Sequence, residues 1–218
     1  GAFAERTLIP ALCKGPGFLK TISSANGLNA ARIARKFGIA EATGDTDLIM
    51  NDPEIGLVVI ATPHDSHADL VCQALRAQKH VFVEKPLAIT REQLKSVEDV
   101  AGSVEAARAM VLVGFNRRFS PQVVKMKSLL DGVDAPMQIV MTINAGSIPE
   151  GHWIHSPAIG GGRIIGEACH FIDLARYLCG NPVTDVKSSF VDTPARDTVS
   201  FSLDFSNGSS AAVHYLSN

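Results

Sequence analysis

Leu57-Val58-Val59-Ile60-Ala61-Thr62-Pro63, followed by His80-Val81-Phe82-Val83-Glu84-Lys85-Pro86, is the stretch that decides the fold. Both apolar runs are continuous rather than alternating, as expected of strands covered on both faces. Between them, Asp65 or Ser66 caps a helical pattern through about Ala77, with Leu70, Ala74 and Leu75 on one side. A strand, a crossover helix and a second strand make a parallel pair. Working toward the N-terminus, Leu19 to Ser23 reads as a strand and Ala30 to Phe37 as a helix stopped by Gly38. In the other direction a helix starts at Thr90, where Thr90 and Gln93 have capping-box spacing, and Met110 to Gly114 is a further buried strand. The prediction is an α/β, Rossmann-type doubly wound parallel sheet over residues 1–118. Such a unit begins with a strand and a G-x-G-x-x-G turn. Here Gly1-Ala2-Phe3-Ala4 runs straight into a helical pattern with Leu8 and Leu12, so the first strand is expected to be missing from this sequence. Gly1 then stands as the second glycine of the turn and Ala4 in the third position.

After Arg118 the pattern changes. Ser120-Pro121 sets an N-cap before a proline, and Gly132 follows the run Val123 to Leu130. Gln138 to Asn144 reads as a strand, and Gly160-Gly161-Gly162 breaks the chain before a helix through Leu178. Val186 to Val191, Val199 to Phe205 and Ser210 to Tyr215 are strands, the last two joined by the hairpin signal Ser206-Asn207-Gly208. Residues 119–218 are therefore expected to form an α+β domain with an open antiparallel sheet. That sheet stops after a hairpin, so this domain too is expected to be truncated.

The 218 residues suffice for two cores, and 46% hydrophobic with 19% charged residues is ordinary for a globular protein. A formal net charge of -2 argues against a nucleic-acid partner. No apolar run approaches the roughly 20 residues of a membrane-spanning helix. Cys13, Cys72, Cys169 and Cys179 show no CxxC spacing and read as buried free thiols, which fits a cytoplasmic location.

Four landmarks in order carry a family resemblance: strand-Thr62-Pro63 with His67 four residues after Pro63; Glu84-Lys85-Pro86; Gly114-Phe115-Asn116-Arg117-Arg118-Phe119; and Gly160-Gly161-Gly162 followed by His170. This pattern is similar to that of the Gfo/Idh/MocA family of nicotinamide-dependent oxidoreductases, and it covers nearly the whole chain. The resemblance implies NAD or NADP as cofactor, a sugar or nucleotide-sugar substrate, and reversible hydride transfer to or from a hydroxyl-bearing carbon. It implies Lys85 and His170 as catalytic residues. Gly1, Ala2, Phe3, Ser24, Thr62, Pro63, His67, Glu84, Lys85 and Asn116 would line the cofactor, and Lys85, His170, Arg117 and Asp173 the substrate. A homo-oligomer is expected, since sheets of this family often pair.

Position supports Lys85 independently. It leaves the carboxyl end of a parallel strand, where open α/β sheets bind ligands, and the proline after it restricts its backbone to extended conformations. A lysine can move the proton that carbonyl–alcohol interconversion requires. On a helix, Glu167, His170, Asp173 and Tyr177 share a polar face. The family aspartate four residues before the histidine is replaced by Gly166, with Glu167 beside it as a candidate substitute in the catalytic set. Glu-x-x-His followed by Asp is also a possible metal-ligand pattern, but no partner helix supplies matching carboxylates, so no metal is expected. The place at which NAD-specific units carry an acid holds Ser23-Ser24-Ala25-Asn26, and Arg32 lies either near a 2′-phosphate or on the outer helix face; NAD and NADP both stay open.

Three alternatives remain at this level. Arg117 and Arg118 could serve a salt bridge at the domain boundary. The same fold also hosts non-catalytic sugar- or cofactor-sensing regulators, and glycosidases that use bound NAD. Phe3 to Pro10, Ser24 to Gly27 and Gly162 to Glu167 further resemble the oxidoreductase half of bi-domain proteins linked to polysaccharide biosynthesis.

Overall fold

The computed structural model describes residues 2–103, 108–192 and 197–217. The chain divides into two compact units: Gly1–Glu84 with Arg91–Val113, and Lys85–Thr90 with Gly114–Asn218. The short segment that carries Lys85 thus belongs with the C-terminal unit.

In the first unit, β1 (Thr21–Ser23) pairs in parallel with β2 (Glu41–Thr43). β3 (Leu57–Ile60), β4 (His80–Val83) and β5 (Val111–Val113) form a second parallel sheet in that order. This is the expected Rossmann-type α/β arrangement. The sequence pattern missed β2 and the short α3 (Asp47–Met50), because neither carries an apolar run long enough to show a period.

Helix α2 (Gly27–Phe37) starts three residues earlier than its apolar stripe suggests. Asn26 caps it by accepting from Asn29 N at 3.1 Å, and Gly38 ends it at φ 68°. Its buried Ala30, Ile33 and Ala34 follow helical spacing, and Ile33 and Ala34 pack with Ile39 and with Ile9 of the short α1 (Ile9–Leu12). Helix α4 (His67–Arg76) buries Ala68, Val71, Cys72 and Leu75. No side chain caps it: the Ser66 hydroxyl lies on Thr62 Oγ1 and Pro63 O instead. In α5 (Arg91–Ala101), Gln93 Nε2 reaches the Asp65 carbonyl at 3.1 Å.

In the second unit, Ser120 caps α6 (Pro121–Leu130) as expected. The sheet has the order β6-β9-β8-β7, with β6 (Gln138–Asn144), β7 (Val183–Phe190), β8 (Val199–Phe205) and β9 (Ser210–Leu216). β7, β8 and β9 are antiparallel, but β6 joins β9 in parallel, so the sheet is mixed rather than wholly antiparallel. Alternation along β6 predicts a strand and is silent about its partner's direction. The 206–208 turn forms, with Gly208 at φ 83° and Asn207 Oδ1 accepting from Ser209 N. One sheet face packs on α7 (Cys169–Cys179): Phe171, Ala175 and Cys179 meet Phe201, Leu203, Val213 and Tyr215 in one core.

All four cysteines are free, but Cys13 is exposed and Cys169 half-buried; only Cys72 and Cys179 are buried as expected. Among the described residues no cluster could hold a metal ion, and no helix is long and apolar enough to cross a membrane.

Candidate active site

In the first unit, the residues expected to line a cofactor stand at the carboxyl ends of parallel strands. Ser23 and Ser24 end β1, Thr62 and Pro63 follow β3, and Glu84 follows β4, its N–H bonded to Ile60 O at 2.9 Å. The Ser24 hydroxyl accepts from Ala30 N at 3.1 Å and donates to Asn26 O, closing the β1–α2 turn. His67 is fully buried, its Nε2 3.0 Å from the Thr62 carbonyl, so it fastens the turn that carries Thr62 and Pro63. Ala2 and Phe3 lead into a π-helical turn, Ala4–Leu8, with Phe3 exposed. Gly1 lies outside the described residues. Arg32 is committed to Glu5 through bonds of 3.0 and 2.6 Å, with Lys36 on the same carboxylate. Together they hold the Glu5 carboxyl down at about 2. Arg32 is therefore occupied on the helix surface.

The second unit assembles the proton-handling residues. Lys85 Nζ donates to the carbonyl of Gly166 at 2.6 Å. Gly166 lies in a π-helical turn, Ile164–Ala168, that leads into α7. Turns of this kind are wider than α-helical ones and recur at functional sites. The same turn carries Glu167. Its carboxylate accepts from Arg163 Nη2 at 3.0 Å and from the hydroxyl of Tyr215. Burial pushes the Glu167 carboxyl up, but these two bonds outweigh it and hold the group below its ordinary value, so it stays an anion. Arg163 is itself buried and also donates to Gly146 O at 2.7 Å.

His170 is buried, and its Nδ1 has no hydrogen-bond partner. Burial, then the charges of Lys85 and Arg117, hold the imidazole at about 4, so it is neutral at physiological pH. Beside it, burial lifts the Cys169 thiol to about 11, which leaves it unreactive. Asp173 does not face an open site. Arg118 closes on it with two bonds, one from Nε to Oδ2 at 2.7 Å, and rests on the rings of Tyr177 and Phe115. Of the arginine pair weighed for a salt bridge at the domain boundary, Arg118 forms one, with a partner inside the second unit. Arg117 is exposed and lies over the Phe171 ring at 4.5 Å. Asn116 is also exposed and opens the 3-10 turn Asn116–Phe119.

The triple glycine serves packing. A Cβ on Gly160 would sit 2.5 Å from the backbone of Ile154, in the turn Trp153–His155, and one on Gly161 2.9 Å from Ile89 in the Lys85–Thr90 segment. Sequence reasoning missed Arg163 and Tyr215. The Arg163–Glu167 spacing of four was a legible signal; the Tyr215 contact, 48 residues away in the chain, was not.

The structure thus holds a parallel α/β unit with polar side chains at its strand ends and an α+β unit that gathers lysine, histidine and carboxylates. Residues 1–115 match the oxidoreductase family with NAD-binding Rossmann fold, and residues 133–217 match the GFO/IDH/MocA C-terminal domain. The chain belongs to the Gfo/Idh/MocA family.

It is 34% identical over 170 residues to levoglucosan dehydrogenase of Pseudarthrobacter phenanthrenivorans, covering 74% of this chain and 42% of that protein. It is 33% identical over 160 residues to the NAD-dependent scyllo-inositol 2-dehydrogenase of Bacillus subtilis, covering 72% and 45%. A solved levoglucosan dehydrogenase in complex with NADH and levoglucosan superposes with a TM-score of 0.84 at 29% identity, over 100% of this chain and 65% of that one. The chain spans about half the length of the curated relatives it matches.

Proposed function

We propose that the protein is an NAD(P)-dependent oxidoreductase that transfers a hydride between the nicotinamide and a hydroxyl-bearing carbon of a sugar, cyclitol or nucleotide-sugar. The observation that carries this reading is Lys85, bonded to the Gly166 carbonyl, with its charge felt by a buried neutral His170 whose Nδ1 has no hydrogen-bond partner.

The strand edges fit a dinucleotide. Ser23 Oγ is buried without a partner near the capped start of α2, and Ser24, Thr62, Pro63 and Glu84 follow the ends of parallel strands, with His67 buried behind the Thr62 turn. Bound NAD or NADP would supply the hydride acceptor or donor. Lys85 would set its remaining N–H donors toward the substrate oxygen and stabilise negative charge as the hydroxyl proton leaves. A neutral imidazole can accept that proton, which an imidazolium cannot, so His170 would be the base for oxidation and the acid for reduction. Glu167, locked to Arg163 and Tyr215, would contribute a fixed negative charge instead of moving a proton. Asp173 would hold Arg118 in place.

The glycine at position 166 favours one second reading, a sugar-sensing protein of the same fold that retains binding without turnover. Both are tested with the full protein, NAD or NADP, and a panel of sugars, cyclitols and nucleotide-sugars, following the absorbance of the reduced nicotinamide. The oxidoreductase reading expects turnover of at least one member and a fall of about 10²–10⁴ in kcat for Lys85→Ala. Cofactor binding with no turnover of any member would leave the sensing reading, and an undiminished Lys85→Ala would remove Lys85 from the mechanism.

A further inference from the structure

Four cationic side chains stand at the His170 end of α7. Two are neutralised: Arg118 is closed on Asp173, and Arg163 on Glu167, with Asp197 3.8 Å away. The other two are not. Lys85 donates to an uncharged carbonyl, and Arg117 lies against an aromatic ring; among the described residues neither has a carboxylate partner. The two carboxylates close enough to balance them, Glu167 and Asp173, are already committed. The position that carries an aspartate in the family resemblance is Gly166.

Both charges reach the His170 imidazole and oppose its protonation, and the Glu167 carboxylate favours it more weakly. A guanidinium presents paired donors that match a carboxylate or phosphate, and Arg117 is exposed, so its edge is free to do so. Stacking on Phe171 holds its plane without using its hydrogen-bond donors. Four cations against three carboxylates, Glu167, Asp173 and Asp197, leave a positive surplus around a neutral imidazole, which favours an anionic ligand over a neutral one of the same shape.

We infer that the substrate of this site is acidic, a hydroxylated molecule that carries a carboxylate or phosphate, and that Arg117 determines this specificity by gripping the anionic group. The identity of the reaction rests on the oxidoreductase reading; the charge preference does not.

The test is equilibrium binding by calorimetry to the full protein in the presence of NADH, which cannot take a hydride from an alcohol, with the aldose probes used as their methyl glycosides so that no free aldehyde is available for reduction. The probes are D-glucuronate against D-glucose, D-gluconate against sorbitol, and D-glucose 6-phosphate and UDP-glucose against D-glucose. In parallel, the His170 imidazole is titrated by NMR with inorganic phosphate and with malonate. The inference expects at least one acid to bind about tenfold tighter than its neutral partner, and Arg117→Met to abolish that preference by lowering the affinity for the acid. A carboxylate probe winning identifies a sugar acid, and a phosphate probe winning identifies a sugar phosphate or nucleotide-sugar. Phosphate or malonate should raise the His170 midpoint in wild type and not in Arg117→Met.

Equal binding of acids and neutral partners overturns the inference, as does a preference that survives Arg117→Met. So does failure of every acid to bind together with an imidazole that small anions leave unmoved. Acid binding without any turnover would remove the oxidoreductase reading and leave this one standing; turnover of neutral polyols without acid preference would do the reverse.

Discussion

Alanine at Gly160 would place a methyl 2.5 Å from both Cα and O of Ile154 and 2.7 Å from its carbonyl carbon. These are backbone atoms, so no side-chain rotation relieves the overlap and one chain must move off the other. Overpacking of this kind costs about 1–3 kcal/mol, and backbone contact puts Gly160→Ala at the upper end. The neighbouring glycines grade the effect. Gly161 sits at φ 72°, which costs an L-residue roughly 1–2 kcal/mol, and its added methyl meets the Ile89 side chain at 2.9 Å, which can shift. Gly162 sits at φ 83° with open space around it, so only the conformational cost of about 1 kcal/mol applies. Urea unfolding of the three alanine variants should therefore rank Gly160 as most damaging, Gly161 next and Gly162 least. Because Gly160 touches the turn of Ile154 and Gly161 touches the segment that begins at Lys85, the first two should also raise KM, while Gly162→Ala leaves it near wild type. If Gly162→Ala costs as much stability as Gly160→Ala, the close-approach reasoning is wrong and left-handed backbone geometry alone sets the requirement.

Three further outcomes follow from the charged network. His170 is held at about 4 against an ordinary 6.5, so the unfolded chain binds the extra proton first and stability falls as pH drops from 6.5 toward 4, by on the order of 3 kcal/mol in all. His170→Phe should flatten that limb in urea midpoints measured across this range, and an unchanged slope would contradict it. Asp173→Ala strips the partner from Arg118 and should cost about 2–4 kcal/mol, whereas Tyr177→Phe, which keeps the ring under the guanidinium, should cost far less. Tyr215→Phe removes a hydroxyl bond to Glu167 and should cost about 1–2 kcal/mol near neutral pH. That bond helps depress the Glu167 carboxyl, so its contribution is present above 4.5 and fades as pH falls through the folded value; variant and wild type should converge in acid.

Much of the fold was legible because its signals are local. The unbroken runs at Val58 to Ile60 and Val81 to Val83, the Gly38 stop, the Ser120 cap and the 206–208 hairpin each depend on residues close in sequence, and each formed. The same holds for the placing of Lys85 immediately after β4 and of His170 near the start of α7. Strand direction was different. β6 pairs in parallel with β9 across some 70 residues of chain, and alternation along a strand does not say which neighbour it meets or which way that neighbour runs.

At the site the division is sharper. The sequence by itself determined which residues were available: a lysine followed by proline, a histidine on a polar helix face, a glycine where a carboxylate was expected. Only the tertiary structure decided what each of them faces. The polar stripe Glu167, His170, Asp173 reads as one catalytic face, but its members take different partners. Tyr215 and Arg163 take Glu167, Arg118 takes Asp173, and burial leaves His170 neutral beside Lys85. Periodicity fixes direction around a helix axis, whereas charge, desolvation and hydrogen-bond partners depend on what packs against that face, and that is a property of the folded chain.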